Sequence, residues 1–504
     1  MSLLSQVSDV FNSLVDQSLS NSPILQRQFV QSSKAVLSEA RERYGQEPFR
    51  LLTDWGELLI LPPRFADEIR NDNRLSFAKA ATGLRFVHRR DSRAAIQRNL
   101  VCGETEFRRL DRSVASHPSH SRSSLTKSTP STEWNEISIK SAISDVVARI
   151  SSRIQLGEEL CRNEEWLRIT KTYTTTFYTA TTKLRAFPWA IRLLVHWFQP
   201  ECQKLRFELE SARRIIQPLV DQRRKMRQEA VASGKPPPQF DDAIDWADKQ
   251  AASAGSSFDP VVFQLTLSLL SIHTTYDLLQ QTMIELARTP HIVEEIRREV
   301  VEILRAEGWK KTSLAKMKLL DSAIKEAQRL KPGSIGMDGL LSLCTAVWPT
   351  DSRSVDLVTM RRYVERDMTL SNGLLLKKGT RLNIDNSRMT DEEIYPDPKV
   401  YNPYRFLEMR ERAGYEHIAH LVSTSSTHLG FGHGQHACPG RFFAANEIKV
   451  ALCHMLIKYD WTLAPGTEVE PDTRGMVSKS SPETTMLVRR RVHTGLDLDG
   501  VEAE

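Results

Sequence analysis

Helical periodicity over a long central stretch is the feature that most constrains the fold of this chain. Between Glu133 and Lys331, apolar residues recur every three or four positions in one segment after another, which is the pattern of amphipathic α-helices. These segments are 137–154, 163–182, 184–199, 200–231, 260–289, 290–306 and 312–331. No strands alternate with them, which argues against a βαβ architecture. We therefore predict a mainly α fold with small sheets.

Two shorter stretches predict the sheets. Residues 48–62 (PFRLLTDWGELLILP) form two strand-like runs around a turn at Asp54-Trp55-Gly56, so we expect a hairpin there. Asp367 to Asn383 places Asn372-Gly373 between two further strand-like runs, and Asn-Gly is a strong signal for a tight hairpin turn.

The composition is that of a globular protein. The 504 residues are 40% hydrophobic and 26% charged, and the length exceeds what one ordinary core supports. The net charge of +6 is spread along the chain, so we predict no nucleic-acid partner; a redox partner or an anionic membrane would suit such a surface equally. The six cysteines include no CxxC pair, which favours a reducing compartment over a disulfide framework.

Residues 1–30 form an amphipathic N-terminal segment. Val7, Phe11 and Leu14 lie on one helical face, and no basic residue precedes Arg27, unlike in a signal peptide. No window of the chain offers the roughly 20 apolar residues that a transmembrane helix needs. Two interpretations stay open: a helix packed on its own domain, and a helix that lies on a membrane.

The stretch HLGFGHGQHACPG, which ends at Gly440, concentrates residues that carry chemistry. Its cysteine, Cys438, precedes a segment with helical periodicity from Arg441 to Tyr459. The N–H groups and dipole at a helix N-terminus stabilise a thiolate, and a thiolate in a glycine-lined pocket can ligate haem iron. The cysteine stretch alone does not decide whether Cys438 is such a ligand.

Two other interpretations of the stretch compete with the haem ligand. A lone cysteine is most often a buried structural residue. A zinc site would use His428, His433, His436 and Cys438, but their spacing differs from the usual zinc motifs and no CxxC pair accompanies them.

Motifs upstream of the cysteine favour the haem interpretation. Glu326 and Arg329 form an i, i+3 pair on a predicted helix, and Arg405 follows within Pro403-Tyr404-Arg405-Phe406; taken singly, such a pair is an ordinary surface ion pair. In this order, E-x-x-R, P-x-R-F and F-x-x-G-x-[R/H]-x-C-x-G resemble the three hallmarks of cytochrome P-450 monooxygenases. The wording GFGHGQHACPGRFFA is most similar to fungal enzymes of secondary metabolism.

The resemblance implies a cofactor and the residues that hold it. The cofactor is haem b (iron protoporphyrin IX), with the Cys438 thiolate as axial ligand of the iron. Phe431 is expected to pack near the thiolate, while Gly434 and Gly440 keep the backbone close to the porphyrin. His436 takes the position at which an arginine usually meets a haem propionate.

The same resemblance makes Glu326, Arg329 and Arg405 an ion-pair triad that holds the segments around the haem pocket. This role is structural and only indirectly catalytic. The planar fork of an arginine can serve two partners, which a lysine could not copy.

The long apolar helix should cross the distal face of the haem, by the same resemblance. Its centre, Leu270-Ser271-Ile272-His273-Thr274-Thr275, is similar to the family pattern [A/G]-G-x-[D/E]-T-[T/S]. Thr274 matches the threonine that helps to deliver protons to dioxygen, but Ser271 replaces the glycine and His273 replaces the acid. His273 can still relay protons near neutral pH. The alternative is a packed or back-bonded polar cluster.

The resemblance implies a cytochrome P-450 fold, with a helical body and a small β-rich lobe, and haem-thiolate monooxygenase activity. The expected partners are NADPH–cytochrome P-450 reductase, dioxygen and an apolar small molecule to be hydroxylated or epoxidised. That substrate would be a terpenoid, indole-diterpene or indole-alkaloid intermediate of secondary metabolite or mycotoxin biosynthesis. The expected location is the cytosolic face of the endoplasmic reticulum membrane, with peripheral or soluble forms as alternatives.

Two other outcomes stay open. One is a haem-dependent desaturation or rearrangement, which the departures at Ser271 and His273 keep in play. The other is an inactive haem-binding product of a gene whose coding sequence was delimited incorrectly, since two segments fit the family poorly.

Those segments are 83–131 and 337–359. The first is rich in Arg, Ser and His, predicts loop rather than helix, and suggests a frameshift; Arg122 and Lys127 are its nearest candidates for haem propionate contacts. The second interrupts a family-like continuation from Gly336 to Met360 and suggests a retained intron. We expect residues 31–504 to form a single catalytic domain behind the N-terminal segment.

Overall fold

The computed structural model describes residues 23–53, 56–81, 133–185, 187, 190–253, 258–332, 358–474, 477–492 and 495–496. Their helices, in chain order, are α1 (Pro23–Tyr44), α2 (Ala66–Ile69), α3 (Phe77–Ala81), α4 (Ile139–Leu160), α5 (Glu164–Arg185), α6 (Arg192–Phe198), α7 (Pro200–Ala232), α8 (Ala243–Ser253), α9 (Pro260–Arg288), α10 (Pro290–Glu307), α11 (Lys311–Lys316), α12 (Lys318–Leu330), α13 (Arg405–Met409) and α14 (Arg441–Lys458).

The strands of the described residues are short. They are β1 (Phe49–Thr53), β2 (Gly56–Leu61), β3 (Leu75–Ser76), β4 (Asn135–Ser138), β5 (Val358–Val364), β6 (Met368–Thr369), β7 (Leu375–Leu376), β8 (Arg381–Asp385), β9 (Tyr459–Leu463), β10 (Asp472–Arg474), β11 (Val477–Lys479) and β12 (Thr485–Arg490). The predictions for residues 1–22, 83–131 and 337–357 lie outside the described residues.

Local sequence signals explain where the helices begin and end. The Asp259 carboxylate accepts hydrogen bonds from the N–H groups of Val261 and Val262 and so caps α9. Pro260 occupies its first turn, where a missing N–H costs nothing. Gly308 ends α10 with a φ of +70°, a conformation that favours glycine.

Three predictions of helix bounds are wrong. The predicted helix 184–199 is only the short α6 (Arg192–Phe198), and α5 ends at Arg185 before it. Ile137 lies in β4, where it pairs with Met486 of β12, so α4 begins only at Ile139. Cross-strand pairing overrides the helical periodicity there. The predicted helix 312–331 is two helices, because the backbone of Met317 leaves the helical region (φ −71°, ψ 76°) between α11 and α12.

The described residues cluster into two compact units, each made of several pieces of chain. The first lies within Met1–Val87, Ser322–Cys438 and Val469–Pro482, and the second within His88–Asp321, Pro439–Glu468 and Glu483–Glu504. The single catalytic domain over 31–504 stays a prediction.

The first unit contains a five-stranded sheet in the order β1-β2-β8-β5-β3. Strands β1 and β2 pair antiparallel from Phe49↔Ile60 onward, and β6 and β7 form a second hairpin, in which Gly373 has a φ of +84°. Both predicted hairpins are therefore confirmed. Helix α1 covers the sheet, with Val36 and Leu37 in one apolar cluster with Leu51.

The end of the predicted insert belongs to this sheet. Val358 and Thr359 pair with Asp385 and Ile384 of β8, and the register shifts directly afterwards. Met360, at the shift, has a φ of +52°, which is uncommon for a residue with a side chain. The retained-intron hypothesis for residues 337–359 stays a prediction.

The second unit is the helical part. Helix α4 packs along α9, and α5 packs along α7. A three-stranded sheet in the order β4-β12-β9 completes it. Across the described parts of both units, no helix combines the length and apolar character required to span a membrane.

A buried carboxyl group lies in the core of the second unit. Glu447 of α14 is fully buried; the Ser151 hydroxyl donates to its Oε1 at 2.7 Å, and the Thr275 hydroxyl is a second partner. Burial raises the pKa of Glu447 to about 8, from 4.5. The folded protein therefore keeps a proton that the unfolded chain releases between these two values, so stability falls as pH rises through this window.

Glu447→Gln should remove this pH dependence, because the amide stays neutral and can still hydrogen-bond. We expect the variant to exceed the wild type in unfolding free energy by about 3 kcal/mol at pH 7 and to match it near pH 4.5. Urea denaturation at several pH values measures this. Glu302→Gln, at an exposed position of α10, is the control, and an unchanged pH slope in Glu447→Gln would contradict the prediction.

Candidate functional site

The structure brings Glu326, Arg329 and Arg405 together inside the first unit. Arg329 of α12 donates from Nε and Nη2 to the two carboxylate oxygens of Glu326, both at 2.8 Å. Arg405 of α13 donates from Nε to Glu326 Oε1 at 3.0 Å. The side chains of Glu326 and Arg329 are 0% exposed and that of Arg405 is 8% exposed. One buried carboxylate thus serves two buried cations.

The two arginines of this triad also hold neighbouring backbone. Arg329 Nη1 donates to the carbonyl of Met389 at 2.7 Å, and Arg405 Nη1 donates to that of Pro396 at 2.6 Å. The planar guanidinium groups can do this because each presents its N–H donors in several directions. The triad therefore ties α12 and α13 to the irregular segment between β8 and α13.

The loop that carries Cys438 is held by its own backbone. The Cys438 N–H donates to the Phe431 carbonyl at 2.8 Å, and Phe431 is buried. Cys438 itself is only partly buried, whereas Cys161, Cys202 and Cys453 are buried. Burial raises the pKa of those three thiols, so they stay protonated and unreactive.

Gly434 is required by a close approach within the first unit. Its φ is +77°, and a Cβ there would lie 2.5 Å from Arg70 Cβ and 2.8 Å from Asn71 Oδ1. Asn71 Oδ1 also accepts a hydrogen bond from the Gln435 N–H at 2.8 Å. Close packing against the segment after α2 thus requires a glycine at this position, and its expected approach to the porphyrin stays a prediction. Gly440, directly before α14, has a φ of −83° that any residue can adopt.

The three histidines of the cysteine stretch have separate surroundings. His428 is buried, with Nε2 3.4 Å from the Lys325 carbonyl; burial holds its pKa well below the usual range. His433 contacts Asp67 at 3.1 Å, Arg70 at 3.0 Å and Thr424 at 3.2 Å. Within the described chain, no group of three or more His, Cys, Asp or Glu side chains could hold a metal ion.

His436 lies beside an aromatic ring and a cation. Its ring centroid is 6.0 Å from that of Phe77. Burial, together with the charge of Arg362, lowers the pKa of His436 to about 4. The imidazole is therefore neutral at physiological pH in the protein without a ligand.

Arg362 of β5 is a candidate site residue that the sequence motifs missed. It is 2% exposed, its Nη1 donates to the Arg361 carbonyl at 2.9 Å, and its Nε has no hydrogen-bond partner among the described residues. Desolvation lowers its pKa to about 10. No described acidic side chain forms an ion pair with it. A buried cation without a counter-charge is costly, so this position calls for an anionic ligand.

A haem fits these residues of the first unit. The half-buried Cys438 would offer a thiolate to the iron, and Arg362, beside His436, would offer a cation to a propionate. The sequence does contain a signal for Arg362. It is a charged residue within the strand-like run of β5, and a charged side chain that is buried in a strand needs a partner of opposite charge. The motif hallmarks contain no arginine there and so do not reveal this position.

The predicted proton-delivery residues lie in the second unit. The Thr274 hydroxyl donates to the carbonyls of Leu270 at 3.0 Å and Ser271 at 3.3 Å, which is the back-bonded arrangement considered as an alternative. The His273 ring centroid is 5.4 Å from that of Tyr276. The relay role of Thr274 and His273 stays a prediction.

Comparison with a family model and with curated proteins agrees with these observations. The model described as Cytochrome P450 matches residues 88–337 and 353–488. The match omits 338–352, within the predicted insert, and includes 88–132, which the motif resemblance does not cover. Cytochrome P450 monooygenase 2 of Gibberella fujikuroi is 55% identical over 94% of this chain and 87% of its own length. Cytochrome P450 monooxygenase hepE of Aspergillus oryzae is 40% identical over 93% and 83%.

A solved structure has a similar fold. The retinoic acid-bound cyanobacterial CYP120A1 matches with a TM-score of 0.63 over 90% of this chain and 94% of that chain. At 16% sequence identity, this likeness concerns the fold alone. It confirms the predicted class, a mainly helical fold with small sheets.

Arg362→Leu should act in opposite directions on the haem-free and the haem-bound protein. Without haem, it removes a buried charge that has no partner, so the unfolding free energy should rise by about 1–3 kcal/mol. With haem, it removes a hydrogen bond to a charged propionate, so haem transfer to a scavenging globin should accelerate about tenfold. Urea denaturation and haem-transfer kinetics measure the two effects.

Arg50→Leu is the matched control for this prediction. Arg50 lies on the exposed side of β1 and pairs with Glu57. Its loss should therefore change the unfolding free energy by no more than about 0.5 kcal/mol and leave the rate of haem transfer unchanged. A loss of stability in haem-free Arg362→Leu would contradict the role of Arg362 as a partner for an anion.

Proposed function

The chain belongs to the cytochrome P450 family and is a monooxygenase, and from this premise we propose that it hydroxylates or epoxidises an apolar small molecule in fungal secondary metabolism. A terpenoid, indole-diterpene or indole-alkaloid intermediate of secondary metabolite or mycotoxin biosynthesis is the substrate class that we infer. The similar proteins from Gibberella and Aspergillus support the fungal setting. The substrate class rests on the resemblance of the cysteine stretch.

The partly exposed thiol of Cys438 is the observation that carries the proposal. We assign the axial thiolate to Cys438, and propionate contacts to Arg362 and His436. When bound, a haem with a thiolate ligand supplies the redox centre at which dioxygen is activated. Phe431 is buried in the same loop, and its carbonyl accepts the Cys438 N–H. That hydrogen bond orients the cysteine backbone before any cofactor binds.

Thr274 and His273 are the proposed source of protons. The Thr274 oxygen, whose own proton points to helix carbonyls, can accept a proton from another donor and pass one on. An imidazole such as that of His273 can hold and release a proton near neutral pH. Monooxygenation consumes two electrons and two protons, places one oxygen atom in the substrate and releases the other as water.

The electrons would come from NADPH–cytochrome P-450 reductase. The cytosolic face of the endoplasmic reticulum membrane, where that reductase is expected, is the proposed location. The family resemblance and the amphipathic pattern of residues 1–30 support this location.

Cys438→Ala should abolish the Soret band of the reduced, carbon monoxide-bound protein at the position typical of thiolate ligation, because alanine offers no ligand to iron. The measurement is a reduced difference spectrum of the purified protein. Cys202→Ala, at a buried cysteine of α7, should retain the band. A band that survives in Cys438→Ala would overturn the ligand assignment.

Desaturation is the second candidate function, and the departures at Ser271 and His273 favour it. Isotopically labelled dioxygen distinguishes it from oxygen insertion. Hydroxylation or epoxidation must place one labelled oxygen atom in the product, whereas desaturation places none. We expect the label, read by mass spectrometry of the product formed with reductase and NADPH. An unlabelled product two hydrogens lighter than the substrate would establish the desaturase instead.

A further inference from the structure

An amide clamp joins α4 and α9 in the core of the second unit. Gln155 of α4 is 3% exposed. Its Oε1 accepts a hydrogen bond from the Ser268 hydroxyl at 2.8 Å, and its Nε2 donates to the Ser271 hydroxyl oxygen at 2.9 Å. Ser268 and Ser271 are three residues apart and so lie on one face of α9. One side chain therefore spans a full turn of the helix.

The clamped turn is the one that receives the Thr274 hydroxyl. Thr274 Oγ1 donates to the carbonyls of Leu270 and Ser271. Ser271 thus takes part in both interactions: its side chain binds Gln155, and its carbonyl accepts from Thr274. Any rotation of this turn relative to α4 would move the carbonyls that orient the threonine hydroxyl.

We propose that Gln155 is a positioning residue for Thr274, acting through Ser271. This inference rests on the proposed function, in which Thr274 delivers protons. It also explains the departure at Ser271, where the family pattern has glycine: a glycine could not accept the Gln155 N–H. The serine hydroxyl provides this hydrogen bond and so holds the turn of α9 against α4.

Burial differs between the two ends of the clamp. Gln155 and Ser268 are 3% and 1% exposed, whereas Ser271 is half-buried. Water cannot replace the Gln155–Ser268 hydrogen bond without a cost, since buried polar groups need their partners. Loss of the amide should therefore change the geometry of this turn from its buried end.

Gln155→Leu is the first test variant, and Gln264→Leu is its matched control. Gln264 of α9 is also fully buried, but neither of its amide atoms has a hydrogen-bond partner among the described residues. Gln155→Leu should accelerate amide hydrogen exchange in residues 267–276 of the haem-free protein by about fivefold to a hundredfold, the factor that corresponds to two neutral hydrogen bonds. Gln264→Leu should leave the exchange rate unchanged. Equal rates in both variants would overturn the clamp.

The functional test measures hydrogen peroxide released per NADPH consumed, with the haem-bound protein and its reductase in air. Gln155→Leu should raise this yield by about twofold to tenfold, because a misdirected hydroxyl delivers protons wrongly. In a Thr274→Ala background, Gln155→Leu should add nothing further. An additional rise in that background would show that Gln155 does not act through Thr274.

A triple variant separates positioning from simple stability. Gln155→Leu/Ser268→Ala/Ser271→Ala leaves no unpaired hydroxyl, so it should regain much of the thermal stability that Gln155→Leu loses. Its peroxide yield should stay raised. A return of the yield to the wild-type value would overturn the positioning role. Ser271→Ala alone, a milder change, provides the same comparison if Gln155→Leu folds poorly.

The carbon monoxide spectrum distinguishes failure of this inference from failure of the proposed function. A wild-type protein without the thiolate Soret band would defeat the proposed function and the role of Gln155 with it. A normal band in wild type and Gln155→Leu, combined with an unchanged peroxide yield, would defeat the positioning role alone.

Discussion

The carboxylate of Glu326 is the group on which the described architecture of the first unit depends. It neutralises two guanidinium groups, those of Arg329 and Arg405, in a place from which water is excluded. Because a buried charge without its partner costs several kcal/mol, the three side chains must stay together. Their spare N–H groups then fix the backbone at Met389 and Pro396. A single electrostatic constraint thereby organises α12, α13 and the irregular chain between β8 and α13.

Arg362 shows the opposite electrostatic situation. It is as deeply buried as the triad, yet no described acidic group balances its charge. A protein can keep such a residue when a ligand supplies the missing charge. The contrast between a satisfied and an unsatisfied arginine within one unit supports the proposed propionate contact beside His436, and Cys438 would supply the thiolate to the same ligand.

In the second unit, buried polar side chains form hydrogen bonds between packed helices. Ser151 of α4 and Thr275 of α9 bind the Glu447 carboxyl group, and Gln155 bridges two serines of α9. These contacts hold α4, α9 and α14 in register where apolar packing alone would allow sliding. The unusual Ser271 is therefore part of the packing of α9, and it links that packing to the hydroxyl of Thr274.

The sequence by itself determined most of the longer helices, the two hairpins and the order of the motifs, because apolar periodicity and Asn-Gly or Asp-Trp-Gly turns act locally. It also singled out Glu326, Arg329, Arg405 and Cys438, but it missed α8 (Ala243–Ser253). Only the tertiary structure decided that β4 replaces the start of a helix, that Gly434 packs too closely against Arg70 to carry a side chain, and that Arg362 has no counter-charge among the described residues. Those facts depend on residues far apart in the chain, whose burial and pairing no local pattern encodes.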